Sequence, residues 1–248
     1  MTGATSGIGR AIARALGKAG AKTVITGMGD EAAAEVVAGI EADGGEAKYV
    51  AGELADRDGW KALLSKATAP YGHFTVFVHC ASPARKENQT AMMVSEEEWD
   101  AMLNTNLRSG FFLAQAIARG MRVRRPRGRI LFMTPLHAET PRNLPHYSAS
   151  KAGQAMVVRE LARALGHNGI RVNGIAPGAI PGGGWVAEDD GALEAMIPMG
   201  RTGTPEDVAQ VAMTLLSDAH SGYVTGAIVP VDGGLQHFNW LKRPDAPR

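Results

Sequence analysis

Residues 1–20 read MTGATSGIGRAIARALGKAG, a glycine-punctuated turn that runs straight into a helical pattern. Gly3, Gly7 and Gly9 set its spacing, with Ser6 and Ile8 between them. Glycines so placed let backbone approach a pyrophosphate and let the next helix pack closely on a sheet. The helix N-terminus then offers free N–H groups and positive dipole to phosphates. Glycine serves any turn that needs φ > 0, so the trio by itself does not decide a function. A turn of this kind normally ends a buried strand, yet here it begins at residue 2.

Outward from the turn, apolar runs rich in β-branched residues alternate with helical patterns. Strands are predicted at 22–26, 47–52, 74–79, 129–134, 170–176 and 226–231, and helices near 8–19, 30–43, 57–69, 95–121, 146–167 and 204–217. The strands are continuously apolar rather than alternating, which argues a parallel sheet covered on both faces. Thr204 before Pro205, and Ser95 with Glu98 three residues on, are helix-start signals. The expected fold is α/β, a doubly wound parallel sheet of Rossmann type, in a single domain over residues 1–248.

Composition narrows the function classes. The 248 residues are 45% hydrophobic and 21% charged with a net charge of +1, so no bulk attraction to nucleic acid or an anionic membrane is expected. The basic run RGMRVRRPRGR (119–129) reads as a solvated helix end and loop. Cys80 is the one cysteine, which excludes an intrachain disulfide and fits a cytoplasmic location. No apolar run approaches the ~18 residues of a membrane-spanning helix. Residues 1–29 hold no acid and four basic residues, as a transit peptide does, but the glycine spacing accounts for them within the fold.

Further along, YSASK sets Tyr147 and Lys151 four apart, on one helix face. Asn106 in NTNLRSGFF, then IRVNGIAPG and RTGTPEDVAQ…YVTGAIVPVDGG, follow the same order as a known pattern. With these five motifs the chain resembles the short-chain dehydrogenase/reductase family from Thr2 to Gly234. LHAETPRNLPHYSASK is similar to glucose-type dehydrogenases of that family, and the remainder to oxoacyl-carrier-protein reductases.

The resemblance implies hydride transfer between a nicotinamide cofactor and a carbonyl or secondary alcohol. Tyr147 would be the general acid or base, and Lys151 the cation that makes a phenol of ordinary pKa about 10 useful near neutrality. Lys151 would also hold the nicotinamide ribose, and Asn106 a water relaying protons from Lys151 toward solvent. Glu53 would meet the adenine and Pro177, Gly178 and Ile180 the nicotinamide, with Leu54 and Ala81 also binding the cofactor. Gly27 and Met28 stand where a selecting acid or arginine is usual, so NAD and NADP both remain, with a slight lean to NADP. A homotetramer packed through the helices near 95–121 and 146–167 is also implied. No metal site is expected, because His79 and Cys80 are adjacent strand residues facing opposite ways.

Four departures stand against the pattern. The family serine falls on Thr134 when counted back from Tyr147, and on Pro135 when counted forward from Gly128; Thr134 is favoured for the role. The usual NNAG is HCAS (79–82). The carboxamide-binding threonine after PG is absent from PGAIPGGGW, where Gly182, Gly183 and Gly184 suggest a mobile lid; Trp185, Met196 and Met199 line either pocket or core. Finally, the family's central first strand is missing or truncated in this sequence. Its loss is on the order of 10 kcal/mol, from hydrogen bonds of about 1 kcal/mol each and three or four apolar side chains at about 1.5–3 kcal/mol. A chain starting at Met1 is therefore expected to fold poorly unless another segment fills the slot. These departures keep a second reading open, a cofactor-binding protein with little or no turnover.

Overall fold

A computed structural model describes residues 1–84, 90–124, 127–141, 143–182 and 192–237. The chain runs α1 (Gly7–Lys18), β1 (Lys22–Ile25), α2 (Asp30–Ala42), β2 (Glu46–Tyr49), α3 (Gly59–Thr68) and β3 (Val76–His79). Next come α4 (Glu96–Met102), a π-helical turn (Leu103–Arg108), α5 (Ser109–Arg124), β4 (Arg129–Met133), a 3-10 turn (Leu136–Ala138) and α6 (Pro145–Leu165). β5 (Arg171–Pro177), α7 (Ala192–Met196), α8 (Pro205–Leu216), α9 (Asp218–Ser221) and β6 (Ile228–Val231) follow. The expectations for Gly183, Gly184 and Trp185 fall outside the described residues.

Every strand pair is parallel: β1 pairs with β2, and β3-β4-β5-β6 form a four-stranded sheet. Met1–Ala4 joins the two sheets. Thr2 N donates to Val78 O and Thr2 O accepts from Cys80 N, while Ala4 N donates to Thr26 O and Thr26 N to Met1 O. Among the described residues, the Thr2–His79 bridge is the only strand-type pairing in this slot.

Alternation along β4 shows how two cores arise from one strand. Ile130 and Phe132 pack with α3, α5 and α6 through Leu63, Leu113, Ile117, Val158 and Leu161. Leu131 and Met133 face the other way, onto Ile12 and Leu16 of α1 and Val208, Ala212 and Leu215 of α8. Helix starts follow their local signals. Ser95 with Glu98, and Thr204 with Asp207, each form a reciprocal capping box, a device worth about 1 kcal/mol.

Two expectations are corrected. The helix predicted over 95–121 is interrupted by the π-helical turn, whose wider ring frees backbone carbonyls for side-chain donors; Ser109 Oγ takes that of Thr105 at 2.6 Å. The basic run is only partly solvated. Arg129, joined by the buried Arg171, pairs with Asp218, and Arg127 lies 3.7 Å from the same carboxylate. Burial works to raise that carboxyl, but the Arg171 and Arg129 hydrogen bonds hold it below the ordinary carboxylate range.

Candidate active site

A cavity of about 1070 Å³ opens along the C-terminal ends of the strands. The glycine turn forms one wall, with Gly3, Ser6, Gly7, Ile8 and Gly9 all lining it. Met28, Glu53, Leu54 and Ala81 line it further along, and Tyr147, Lys151, Pro177, Gly178 and Ile180 close the far end. Every cofactor-binding position expected from the sequence thus lies on one surface.

The turn is shaped by close backbone approach. A Cβ at Gly9 would stand 1.8 Å from Gly3 O, and one at Gly3, where φ is +63°, would stand 2.5 Å from Ala81 N. Ser6 is the N-cap of α1 yet makes no side-chain capping bond, which leaves the helix N-terminus for a ligand. Backbone donors, a glycine cradle and a volume of this size suit a dinucleotide with a small molecule beside it. Glu53 Oε1 accepts from Leu54 N and Ala55 N at 2.7 Å each, so that oxygen braces its own loop. At Gly27 a Cβ would stand 2.6 Å from Thr5 Oγ1 and 2.7 Å from Thr5 Cγ2, so any side chain there requires the Thr5 side chain to shift. Tyr49 donates to Asp30 at 3.1 Å, tying the nearest downstream acid to β2.

The catalytic candidates converge on α6. Lys151 Nζ lies 5.6 Å from the centroid of the Tyr147 ring and donates to Met133 O at 3.0 Å and Gln154 Oε1 at 2.9 Å. Asn106 is fully buried in the π-helical turn behind the cavity wall; its Nδ2 donates to Ser150 Oγ at 2.9 Å. The Asn106 carbonyl is taken from two sides, by His79 Nε2 at 3.0 Å and Gln154 Nε2 at 2.6 Å. A carbonyl oxygen has two lone pairs, so the relay water that the resemblance puts there would need to displace one of them.

His79 is a structural residue of this site. Its Nε2 faces the Thr105 and Asn106 carbonyls and so carries the proton, which makes Nδ1 the acceptor for Thr2 Oγ1–H at 2.8 Å. Burial, reinforced by the Lys151 charge, lowers its imidazole to about 3 and keeps it neutral. Gly110 on α5 makes room for the ring: a Cβ there would stand 2.8 Å from His79 Cδ2. Burial pushes the neighbouring Cys80 thiol up to about 12, far from a reactive thiolate.

The geometry does not support the role expected of Thr134. Its hydroxyl donates back to Ile175 O at 3.3 Å and faces Gly174 across the sheet, and Thr134 is not part of the cavity wall. Pro135, the other position the sequence offers, is part of that wall. Met196 lines the cavity; Met199 is exposed and does not. Sequence reading missed Thr5, Ser82 and Thr140, hydroxyl residues of the wall. Thr5 was legible inside the glycine turn, whereas the other two sit in loops without local pattern.

A family profile described as enoyl-(acyl carrier protein) reductase matches residues 3–236. A (3R)-3-hydroxyacyl-CoA dehydrogenase from Canis lupus familiaris is 35% identical over 247 residues, covering 95% of this chain and 94% of its own. A short-chain type dehydrogenase/reductase from Mycobacterium ulcerans superposes with a TM-score of 0.86 at 30% identity, over 96% of this chain and 88% of that one. The chain belongs to the short-chain dehydrogenase/reductase family. A 3-oxoacyl-acyl-carrier-protein reductase from Thermotoga maritima is also similar, 33% identical over 238 residues and covering 95% and 96% of the two chains. As a short-chain dehydrogenase/reductase the protein is an oxidoreductase of a family that works with NAD(P). Among the described residues, no helix is long and apolar enough to cross a membrane.

Proposed function

We propose that this protein transfers hydride between a bound nicotinamide dinucleotide and a small, mostly apolar carbonyl or secondary alcohol, through Tyr147, Lys151 and Asn106, in one domain spanning 1–248. The observation that carries the reading is that Tyr147 and Lys151, one turn apart on α6, open into the cavity bounded by the glycine turn. When bound, the dinucleotide supplies the hydride chemistry. Tyr147 gives its phenolic proton to the carbonyl oxygen in reduction and takes it back in oxidation, and the Lys151 ammonium stabilises the phenolate. Gly3, Ser6, Gly7, Ile8 and Gly9 would hold the pyrophosphate, and Pro177, Gly178 and Ile180 the nicotinamide end. The cavity wall also includes Pro83, Ala84, Leu136, Pro141, Leu193 and Met196, apolar surface that would favour uncharged substrates.

The reading leans to NADP because no carboxylate occupies position 27 or 28 to repel a 2′-phosphate. It includes a cytoplasmic protein and a homotetramer formed through α5 and α6, where Val123 and Met156 are exposed. The second reading, cofactor binding with little turnover, is favoured by one observation: Pro135 in the wall in place of a hydroxyl residue.

A panel of ketones, secondary alcohols and 3-oxoacyl thioesters, each with NAD and NADP, tests the two against each other. Change in nicotinamide absorbance supports the enzyme reading, and binding without turnover across the panel supports the other. Tyr147→Phe is expected to lower kcat by about 10²–10⁴-fold while sparing cofactor affinity. Retained turnover would reject the assigned acid.

A further inference from the structure

Gln154 follows Lys151 by three residues on α6 and is fully buried, with both ends of its amide engaged. Its oxygen accepts from the Lys151 ammonium at 2.9 Å, and its nitrogen donates to the Asn106 carbonyl at 2.6 Å. An apolar side chain of similar length would fill this volume without needing partners, so packing alone does not call for a glutamine. The partners are also fixed in turn. The Asn106 carbonyl belongs to the π-helical turn and is held from its other side by His79. Lys151 is tied to β4 through Met133 O at 3.0 Å. The amide therefore links the catalytic ammonium, itself held by Met133 O, to the fixed Asn106 carbonyl.

We propose that Gln154 is a positioning residue of the catalytic site, its amide joining Lys151 to the Asn106 carbonyl where the family resemblance puts a water. It acts through Lys151. By accepting from the ammonium it keeps the cation charged and aimed along the Tyr147 side of α6, which holds down the proton affinity of the phenol. The inference rests on the oxidoreductase reading above.

The test is the pH dependence of alcohol oxidation, with the alcohol that the substrate panel identifies. Gln154→Met keeps length and removes both hydrogen bonds. It is expected to lower kcat about tenfold near neutrality with KM nearly unchanged, and to move the rising limb of kcat upward by about 0.5–1 pH unit. Gln154→Ala leaves space for a water with Lys151 and Asn106 as polar partners, and is expected to recover most of that shift. The titratable groups facing Lys151 are Tyr147 on α6, His79 at the end of β3 and Cys80 just after it; the Met1 amino group acts on the latter two. His79 at about 3 and Cys80 at about 12 lie outside the profile, and the Met1 group is common to all variants.

A folded Gln154→Met enzyme with the wild-type limb overturns the proposal, whether or not kcat falls. So does a Gln154→Ala enzyme shifted as far as the methionine variant. Should Gln154→Met not fold, a high-resolution crystal structure of the wild-type protein decides: a water rather than the amide between Lys151 Nζ and Asn106 O overturns it. Tyr147→Phe, assayed alongside, separates the two levels. If that variant stays active the assignment of Tyr147 as the acid, on which the role of Lys151 rests, fails; if it is inactive while Gln154→Met is unchanged, only the role of Gln154 fails.

Discussion

Gly110→Ala sets helix propensity against packing, and the two have opposite signs. In an unobstructed helix interior the change from glycine to alanine stabilises by about 1 kcal/mol. Here the new Cβ would stand 2.8 and 2.9 Å from His79 Cδ2 and Nε2 and 3.1 Å from Phe132 Cε1. The ring has nowhere to go, because Thr2 holds its other nitrogen and its whole surface is buried. Overpacking of this kind costs about 1–3 kcal/mol, and pulling Nε2–H off the two carbonyls leaves a buried donor unmet at about 1–3 kcal/mol. The net expectation is a loss of about 3 kcal/mol, or a Tm lower by about 6–12 °C for a domain of this size. Urea unfolding at neutral pH, with wild type and Gly110→Ala side by side, measures it. Shortening the ring in Gly110→Ala/His79→Asn should make the double variant at least about 1 kcal/mol more stable than the sum of the single losses. A Gly110→Ala protein as stable as wild type, or losses that simply add, would refute the assigned role of Gly110.

Installing a hydroxyl in the wall with Pro135→Ser should raise kcat, by about tenfold or more, since the residue's φ of -58° and ψ of 172° suit any amino acid. Thr134→Val, assayed in parallel, should leave kcat within about twofold because its hydroxyl serves Ile175 O; the opposite pattern would return the role to Thr134. At the start of α8, the hydrogen bond from Arg201, then that from Thr204 N, lowers Asp207 from 3.8 to about 2. A folded value below the unfolded one contributes stability above the unfolded value, and that contribution is lost as pH falls. The stability gap between wild type and Asp207→Asn should therefore narrow from about pH 4 to about pH 2 in urea titrations; a constant gap would contradict the assignment.

Much of this architecture is legible in sequence because its rules are local. Glycine spacing, the i, i+4 relation of Tyr147 and Lys151, and the caps at Ser95 and Thr204 each depend on a few neighbouring residues. What was hidden depends on contacts far along the chain. Choosing between Thr134 and Pro135 required the register of β4 against β5, where one residue reverses which side chain meets the cavity. The π-helical turn at Leu103–Arg108 carries no local signature, and its carbonyls are taken by His79 from β3 and Gln154 from α6. Gln154 itself reads as one more polar helix residue until the fold sets Asn106 against it. The HCAS departure was visible, but its meaning lay in Gly110, thirty residues later.

The contact between Gly27 and Thr5 also bears on how this lineage can change. A carboxylate that selects for a free ribose hydroxyl is acquired at position 27 only if the Thr5 side chain moves, because every side chain begins with the Cβ that meets Thr5 Oγ1 and Cγ2 there. Position 28 is open, its methionine 78% exposed. A new charge at Met28 thus meets open space, whereas one at position 27 carries the added cost of displacing a residue of the glycine turn.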